Sequence, residues 1–352
     1  MRKSSGGVTA IIGQTPLISL NEVIDCSFNL YGKLEGLNPS GSIKDRPALE
    51  VLRYGIESGV ITEKTVIVES SSGNMGLALA QLCRYFGLRF ICVTDTRVTP
   101  QNLRLLQIYG AKVEVLTEPH PVTREFLQAR INRAREICES LEDAFWVNQY
   151  ASLLNVQAHY RTMEEILAAL NGKVDYLFCA ASSCGTLRGC AEYVKSINCH
   201  TKVWAVDAVG SVIFGGAPGK RLIPGHGAGI RPSLYMDSLA DRCIKVTDWE
   251  SVVGCRRLLE REGLLVGGSS GAALMAVDQV KDEILPGSNC VVIFPDRGER
   301  YLDTIFNDDW LESHWPGRVL KLYSDGVSPD EDGCESIAST TGLAFLAEMA
   351  VT

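Results

Sequence analysis

The sequence predicts an α/β fold in which two domains, each built on a mostly parallel sheet, enclose a ligand cleft. Short β-rich runs alternate with longer segments of helical periodicity along both halves of the 352-residue chain, which is the pattern of βαβ units. Runs such as VDYLFCA and CVVIF are apolar on both faces, as strands covered by helices on both sides must be. Ligands of such sheets bind at the carboxyl ends of the strands, so the cleft is expected there.

The first half of the chain contains four predicted strands and four predicted helices. Leu49, Leu52 and Ile56 share one face of the first helix, and Gly87 and Gly110 end the second and third. The strands are predicted at 28–34, 65–69, 90–93 and 113–116, and the helices at 47–58, 77–86, 103–109 and 123–140.

The second half repeats the alternation before the pattern ends. After about residue 317 the sequence SDGVSPDEDGCESIASTTG is acidic, small and polar. This composition predicts a flexible tail over residues 318–352. The strands of this half are predicted at 174–179, 203–209 and 290–294, and the helices at 186–196, 249–262 and 271–284.

The composition argues against several classes of protein. The net charge is -8 at pH 7, whereas sequence-independent binding to nucleic acid needs a clustered basic surface. No apolar run approaches the ~20 residues that span a bilayer, and the first residues, MRKSSGGVTAIIGQTP, do not resemble a signal peptide. Twelve cysteines are scattered without a CxxC pair. This spacing predicts reduced thiols in a cytoplasmic protein and no metal site.

Lys44 lies in the turn-rich segment PSGSIKDRP, directly before a predicted helix. A cation at a helix N-terminus opposes the helix dipole, so the position of this lysine needs a reason. One reading is a catalytic amine that forms an imine with an aldehyde in a tuned environment. The other is a solvated charge near a helix start.

Three Ser/Gly-rich loops each precede a predicted helix. They read ESSSGNMG (69–76), SSCGT (182–186) and VGGSSGA (266–272). Such loops present hydroxyls and free backbone N–H groups to an anion, although each is also compatible with a simple helix cap. The side-chain amide of Asn74 favours a ligand site in the first loop. No G-x-G-x-x-G or Walker loop is present, which argues against dinucleotide and P-loop readings.

The order of these motifs resembles the cysteine synthase branch of the fold-type II pyridoxal-phosphate enzymes, which have a tryptophan synthase β-like fold. The resemblance runs from about residue 11 to residue 315 through GQTPL, PSGSIKDRP, SSSGNMG, NQYASLLN, SSCGT, GGSSGAA and PDRGERYL. It implies a large cofactor-binding domain (1–45 and 150–317), a small mobile domain (46–149) and an active site in the cleft between them. It also implies pyridoxal 5'-phosphate as cofactor, small amino-acid substrates and a homodimer.

The resemblance assigns roles to individual positions. Lys44 matches the lysine that forms the Schiff base with the cofactor. Asn74 matches the residue that bonds the cofactor's phenolic oxygen, and Ser269 the serine that faces its pyridine nitrogen. The cofactor phosphate would be held by Ser182, Ser183, Cys184, Gly185 and Thr186. The substrate α-carboxylate would be held by Ser71, Ser72 and Gln149, with Met75 beside them.

Two departures from the family pattern lie near the expected substrate. Met75 replaces the last threonine of the usual asparagine loop, and Ser182 replaces a glycine of the phosphate loop. A narrower resemblance accounts for both changes. The sequence also resembles the N-(2-amino-2-carboxyethyl)-L-glutamate synthases that begin 2,3-diaminopropionate synthesis in the staphyloferrin B pathway. AVDAVGSVIFG, ESSSGNMG, FWVNQYASLLN and FPDRGERYLD carry this resemblance.

The narrower resemblance implies a transferase that joins O-phospho-L-serine to the amino group of L-glutamate and releases phosphate. Lys44 would act as general base at the substrate α-carbon. Arg130 matches an arginine of this branch and would bind phosphate or a glutamate carboxylate; the alternative is a solvated helix charge. The competing readings are a cysteine synthase that uses O-acetylserine or O-phosphoserine with sulfide, a serine or threonine dehydratase, and a binding protein that kept only the fold.

Overall fold

The computed structural model describes residues 6–20, 22–319 and 322, and these residues form an α/β structure with two sheets. The strands, in chain order, are β1 (Leu17–Ser19), β2 (Asn29–Leu34), β3 (Val66–Ser70), β4 (Arg89–Asp95), β5 (Lys112–Leu116), β6 (Ala144–Trp146), β7 (Tyr176–Ala180), β8 (Lys202–Ala208), β9 (Arg242–Val246) and β10 (Asn289–Phe294). The helices are α1 (Asp45–Glu57), α2 (Asn74–Phe86), α3 (Pro100–Ile108), α4 (Phe126–Ser140), α5 (Leu153–Gln157), α6 (Tyr160–Ala169), α7 (Gly185–Ser196), α8 (Asp248–Glu262), α9 (Gly268–Val280) and α10 (Asp308–His314).

The two sheets confirm the predicted α/β class with mostly parallel strands. The larger sheet has the order β1-β2-β10-β7-β8-β9, and only β1 runs antiparallel to its neighbour. The smaller sheet has the order β5-β4-β3-β6 and is parallel throughout. All strands of the smaller sheet fall within residues 46–149, and those of the larger sheet fall outside this range. The domain boundaries and the mobility of the small domain stay predictions.

The apolar strands are buried on both faces, as their sequences predict. In β7, Phe178 packs in one hydrophobic cluster and its neighbour Leu177 in another, and both are fully buried. In β3, Ile67 and Val68 are divided between two clusters in the same way. Because successive strand residues point to opposite faces, helices cover each sheet on both sides. Ligand access is therefore confined to the strand ends.

The predicted elements are present, with small shifts at their ends. Helix α2 begins at Asn74, three residues before the prediction, because the loop residues themselves form its first turn. Helix α9 ends at Val280 and a short 3-10 turn follows it, so the prediction to residue 284 was too long. The elements β1, β6, β9, α5, α6 and α10 were not predicted.

Two sequence-based expectations concern membranes and the C-terminal tail. No helix among residues 6–20, 22–319 and 322 is long and apolar enough to cross a membrane. Of the segment 318–352, only positions 318, 319 and 322 belong to the described chain, so the predicted flexible tail lies almost wholly outside it.

Candidate active site

Lys44 lies at the N-terminus of α1, where a turn joins the two sheets. The Ser40 backbone N–H donates to Asp45 Oδ2 at 2.7 Å, and the Ile43 N–H donates to Pro295 O, just after β10, at 2.7 Å. These bonds fix the turn that presents Lys44. Burial lowers the pKa of the Lys44 amine, although the nearby Cys179 and Asp296 act in the opposite direction. The amine is therefore more easily deprotonated than that of a surface lysine.

A cavity of about 220 Å³ brings Lys44 together with residues of both sheets. Cys184, Gly185 and Thr186 line a smaller cavity that shares Lys44, Ser182 and Ser183 with the first. The structure thus gathers every residue for which the sequence predicts a site role. Those lining the larger cavity are Lys44, Ser71, Ser72, Asn74, Met75, Arg130, Gln149, Ser182, Ser183 and Ser269.

The first Ser/Gly loop connects β3 to α2 and lies on the cavity wall. Ser71 Oγ accepts hydrogen bonds from the N–H groups of Gly73 (3.3 Å) and Gly76 (3.0 Å), so it caps the helix from inside the loop. Its hydroxyl hydrogen can still donate to a ligand. The Asn74 amide donates to Asp296 Oδ2 at 2.7 Å.

Met75 lies beside this loop, but its side chain belongs to the core. Only 1% of the residue is exposed, and it packs in the hydrophobic cluster that contains Ile67 and Phe90. Met75 therefore contributes an apolar wall rather than a polar contact.

Gln149 is held against the end of β3 by a buried carboxyl group. Its N–H donates to Glu69 Oε2 at 3.1 Å, and its side-chain amide donates to the Ser70 carbonyl at 3.2 Å. Burial raises the pKa of Glu69 to about 8 despite the hydrogen bonds it accepts from Gln149 and Ser70. The neighbouring Asn148 has a left-handed backbone (φ 48°), which turns the chain toward the cavity.

The loop from Ser182 to Thr186 joins β7 to α7 and has the form of an anion site. Cys184 adopts a left-handed backbone (φ 67°) directly before the first helical residue, Gly185. A Cβ on Gly185 would lie 2.4 Å from Asn155 Oδ1, so this position requires glycine. Free N–H groups at the start of a helix, beside serine and threonine hydroxyls, suit a phosphate group.

Ser269 is the second residue of α9 and is 1% exposed. The chain at Gly225 passes over it with φ 101°, and a Cβ there would lie 3.1 Å from Ser269 Oγ. The hydroxyl is therefore enclosed beneath the backbone at Gly225 and faces the cavity that both residues line.

Arg130 is buried in the cavity wall on α4 and is not a solvated helix charge. Its Nε lies 3.2 Å from Asp95 Oδ2, and 8% of its side chain is exposed. The other oxygen of Asp95 accepts from the Arg97 N–H at 2.9 Å. The Arg97 guanidinium lies 4.9 Å from the centre of the Phe126 ring, also on α4. Arg97 was not predicted as a site residue.

The charged residues that line this cavity are all basic. They are Lys44, Arg97, Arg130 and Arg300, and no acidic residue of the described chain lines it. Arg300 and the neighbouring Tyr301 belong to the PDRGERYL motif, which predicts no role for them. The motif alone does not reveal which strands lie beside this segment. Other lining residues that sequence reasoning missed are Thr99, Asn102 and Tyr150.

Residues 8–296 match the family model described as pyridoxal-phosphate dependent enzyme. The chain belongs to this family. Its cofactor is pyridoxal phosphate, as predicted from the sequence.

Solved structures of other enzymes in this family have the same fold. An O-acetylserine-dependent cystathionine β-synthase from Helicobacter pylori is 31% identical, with a TM-score of 0.79, over 84% of this chain and 97% of that one. A hydrogen sulfide-producing enzyme from Fusobacterium nucleatum is 32% identical with the same TM-score, over 85% and 100%. An O-ureido-L-serine synthase is 27% identical, again with a TM-score of 0.79, over 86% and 98%.

The residues around Lys44 fit the cofactor of this family. The loop at 182–186 presents the start of α7 and the hydroxyls of Ser182, Ser183 and Thr186, and it lines one cavity together with Lys44, whose amine would bind the cofactor aldehyde. Ser269 lines the adjoining cavity and supplies a neutral hydroxyl for a ring nitrogen. Lys44, Asn74, Ser269 and the loop from Ser182 to Thr186 are accordingly the residues that would hold pyridoxal phosphate.

Proposed function

We propose that this enzyme joins O-phospho-L-serine and L-glutamate to form N-(2-amino-2-carboxyethyl)-L-glutamate and phosphate. The Cβ–O bond of phosphoserine breaks and a bond forms between Cβ and the glutamate nitrogen, so the reaction is a β-replacement and the enzyme a transferase. The product would lead to L-2,3-diaminopropionate for a siderophore or an antibiotic. Membership of the pyridoxal-phosphate family supports the coarser part of the proposal, as do solved relatives named for O-acetylserine and O-ureidoserine chemistry.

The excess of positive charge on the cavity wall carries the specific part of the proposal. Phosphoserine brings a phosphate and a carboxylate, and glutamate brings two carboxylates. Three arginines line the cavity in a chain whose net charge is -8. Asp95, which pairs with Arg97 and Arg130, can neutralise only one of them. Such a wall stabilises polyanionic substrates, because guanidinium groups bind phosphate and carboxylate with paired hydrogen bonds.

The reaction assigns specific tasks to the residues of the site. When bound, pyridoxal phosphate withdraws electrons from the substrate α-carbon and so acidifies the α-proton. Lys44 Nζ takes that proton, since burial lowers the pKa of the amine and favours its neutral form. Ser71, Ser72 and Gln149 hold the α-carboxylate, and Lys44 later returns a proton to the α-carbon. The arginines hold the leaving phosphate and the incoming glutamate.

A cysteine synthase that uses O-acetylserine or O-phosphoserine with sulfide is the second candidate. The relatives named as O-acetylserine-dependent and as hydrogen sulfide-producing favour it. O-phosphoserine would use the arginines in either reaction, but sulfide adds no carboxylate for them to bind, whereas glutamate adds two. We therefore place the sulfide reaction second.

Mass spectrometry of the products separates these functions. Purified protein loaded with cofactor is supplied with O-phosphoserine and either glutamate or sulfide, and O-acetylserine replaces phosphoserine in a parallel series. A glutamate adduct formed with equimolar phosphate supports the proposal. Cysteine formation without any glutamate adduct rejects it in favour of the second candidate.

We also propose that the enzyme acts as a cytoplasmic homodimer. Light scattering coupled to size-exclusion chromatography tests the dimer, and a mass of one chain would reject it.

A further inference from the structure

His159 is a buried residue that none of the roles above uses. It lies directly before α6 and is 0% exposed. Its Nδ1 lies 3.2 Å from Thr162 Oγ1, and its Nε2 lies 3.2 Å from Thr186 Oγ1, the last residue of the phosphate loop. The imidazole therefore bridges a hydroxyl of α6 and a hydroxyl of the expected cofactor site.

The packing around His159 fixes this bridge. A Cβ on Gly189 of α7 would lie 2.6 Å from His159 Cβ and 2.3 Å from the Val156 carbonyl. Helix α7 thus rests almost directly on the backbone before α6, and the ring has little space to turn. The distance from Nε2 to the Thr186 hydroxyl is set by the fold itself.

The imidazole in this position is neutral. Burial lowers its pKa well below the usual range, and the charges of Lys44 and Arg46 act in the same direction. A neutral ring has one N–H donor and one acceptor nitrogen, so the two hydroxyls cannot both receive a hydrogen bond from it. The tautomer decides what Thr186 can offer to a ligand.

Only one of the two tautomers lets the Thr186 hydroxyl bind a phosphate. If Nδ1 carries the hydrogen, Thr186 must donate its own hydrogen to Nε2 and turns lone pairs toward the anion. If Nε2 carries the hydrogen, it donates to Thr186 Oγ1, and the threonine O–H is free to donate to a phosphate oxygen. Thr162 then completes the chain by donating to Nδ1.

We propose that His159 is a positioning residue for the cofactor phosphate: as the Nε2–H tautomer it donates to Thr186 Oγ1 and aims that hydroxyl at the phosphate. The inference rests on the placement of the phosphate at residues 182–186 and is independent of which amino acids the enzyme joins. It links a residue outside both cavities to the retention of the cofactor.

Paired substitutions and paired ligands test the role. His159→Gln keeps a donor at the position of Nε2, whereas His159→Asn is one carbon shorter and reaches only the position of Nδ1. The apparent Kd of the full chain is measured for pyridoxal phosphate and for pyridoxal, which lacks the phosphate. His159→Asn should bind pyridoxal phosphate about 10- to 100-fold more weakly, the range for one hydrogen bond to a charged group, and should bind pyridoxal as the parent does. His159→Gln should recover most of the loss.

The controls separate this role from general support of the fold. His200→Asn changes an exposed histidine and should leave the apparent Kd values for pyridoxal phosphate and pyridoxal unchanged. The double variant with His159→Asn and Thr186→Val should lose no more affinity for pyridoxal phosphate than the weaker-binding single variant, because both substitutions act through one hydroxyl. An equal loss of affinity for pyridoxal and pyridoxal phosphate, or additive effects in the double variant, would overturn the proposal.

A measurement on the unmodified holoenzyme covers the case in which His159→Asn does not fold. Nitrogen-15 NMR of the five histidines distinguishes a protonated Nε2 from a protonated Nδ1, and the His159→Gln spectrum assigns the resonance. A hydrogen on Nε2 of His159 is expected. A hydrogen on Nδ1 in the holoenzyme would reject the inference directly.

Discussion

Asn74 and Asp296, 222 residues apart in the chain, are joined by a hydrogen bond of 2.7 Å between the Asn74 amide and Asp296 Oδ2. The Tyr301 hydroxyl donates to the same oxygen at 2.5 Å. Asn74 begins the helix that follows β3 of the smaller sheet, and Asp296 lies just after β10 of the larger one. The residue expected to contact the cofactor's phenolic oxygen is thus oriented by the opposite sheet.

Asn74→Ala should weaken both the fold and cofactor binding. Asp296 is buried, which raises its pKa, and it would lose one of two side-chain donors. Leaving a buried acceptor short of a partner costs about 1–3 kcal/mol. Urea unfolding measures the free energy of unfolding, and titration with pyridoxal phosphate measures the affinity for the cofactor. Asn132→Ala, which removes a part-buried hydrogen bond that Gln128 donates within α4, is the control, and equal values for the two variants would argue against the relationship.

Lys44 should be the only covalent attachment point of the cofactor. Borohydride reduction of the yellow enzyme, followed by digestion and mass spectrometry, should give one labelled peptide, and that peptide should contain Lys44. Lys44→Arg should give none, because a guanidinium keeps its charge and does not bind aldehydes in this way. A label on another lysine in the unsubstituted enzyme would contradict the assignment.

The sequence contains the local part of this site but not its long-range part. Lys44 and the three loops were predictable because each lies in a short segment whose turn residues and hydroxyls show its chemistry. Asp296 contacts Asn74, and Arg300 lines the cavity, only because β10 inserts between β2 and β7, and no local pattern reveals that order. Strand β6 is three residues long, too short to show a period.

Met75 shows the limit of reading a substitution in a motif. Its place in the asparagine loop suggested a contact with the substrate. In the structure it is the second residue of α2, and with Leu79 and Leu82 it follows the i, i+4, i+7 spacing of a buried helix face. Helix α2 begins earlier than its apolar pattern predicts, so Met75 belongs to the helix and packs in the core.

Arg130 should contribute to the binding of anionic substrates. Arg130→Lys keeps a charge for Asp95 but loses the paired geometry of the guanidinium. If this geometry holds phosphate or a carboxylate, kcat/KM for phosphoserine or glutamate should fall about 10- to 100-fold, mainly through KM. Steady-state kinetics with each substrate varied in turn would show which anion it binds.

Arg133 provides a matched control on the same helix. Its ion pairs with Glu114 and Glu136 lie at the surface, so Arg133→Lys should leave the kinetics unchanged. Unchanged kinetics in Arg130→Lys as well would remove Arg130 from the substrate site.

Arg97 should act at the opening of the cavity with a smaller effect. Its side chain is 61% exposed, so water screens its charge more than that of Arg130. Arg97→Met should raise one KM by about 3- to 10-fold with little change in kcat, and the increase should shrink at high salt. A salt-independent effect would indicate that Arg97 acts by packing on Phe126 instead.

Glu165 should make the stability of the protein depend on acid pH. It pairs with Lys33 Nζ at 2.7 Å and with Arg46 at 2.7 Å, two residues after Lys44. Burial alone would raise its pKa, but the hydrogen bonds and charge of Arg46, with the hydrogen bonds from Lys33 and the Gln14 backbone, lower the pKa from 4.5 to about 2. A carboxyl group whose pKa is lower in the folded state stabilises the fold above its unfolded pKa. That stabilisation is lost as the pH falls from 4.5 toward 2.

Glu165→Gln isolates this contribution, because glutamine keeps the shape of the side chain without the charge. At pH 7 the free energy of unfolding of the variant should be about 2 kcal/mol lower than that of the parent. The difference should shrink progressively as the pH falls below 4.5, since the parent then loses the same charge. Urea unfolding at pH 7, 5, 4 and 3 measures it, with Glu283→Gln, an exposed partner of Arg242, as control. A difference that stayed constant with pH would mean that glutamine disturbs packing beneath Lys44, and the charge of Glu165 would then not be what stabilises this turn.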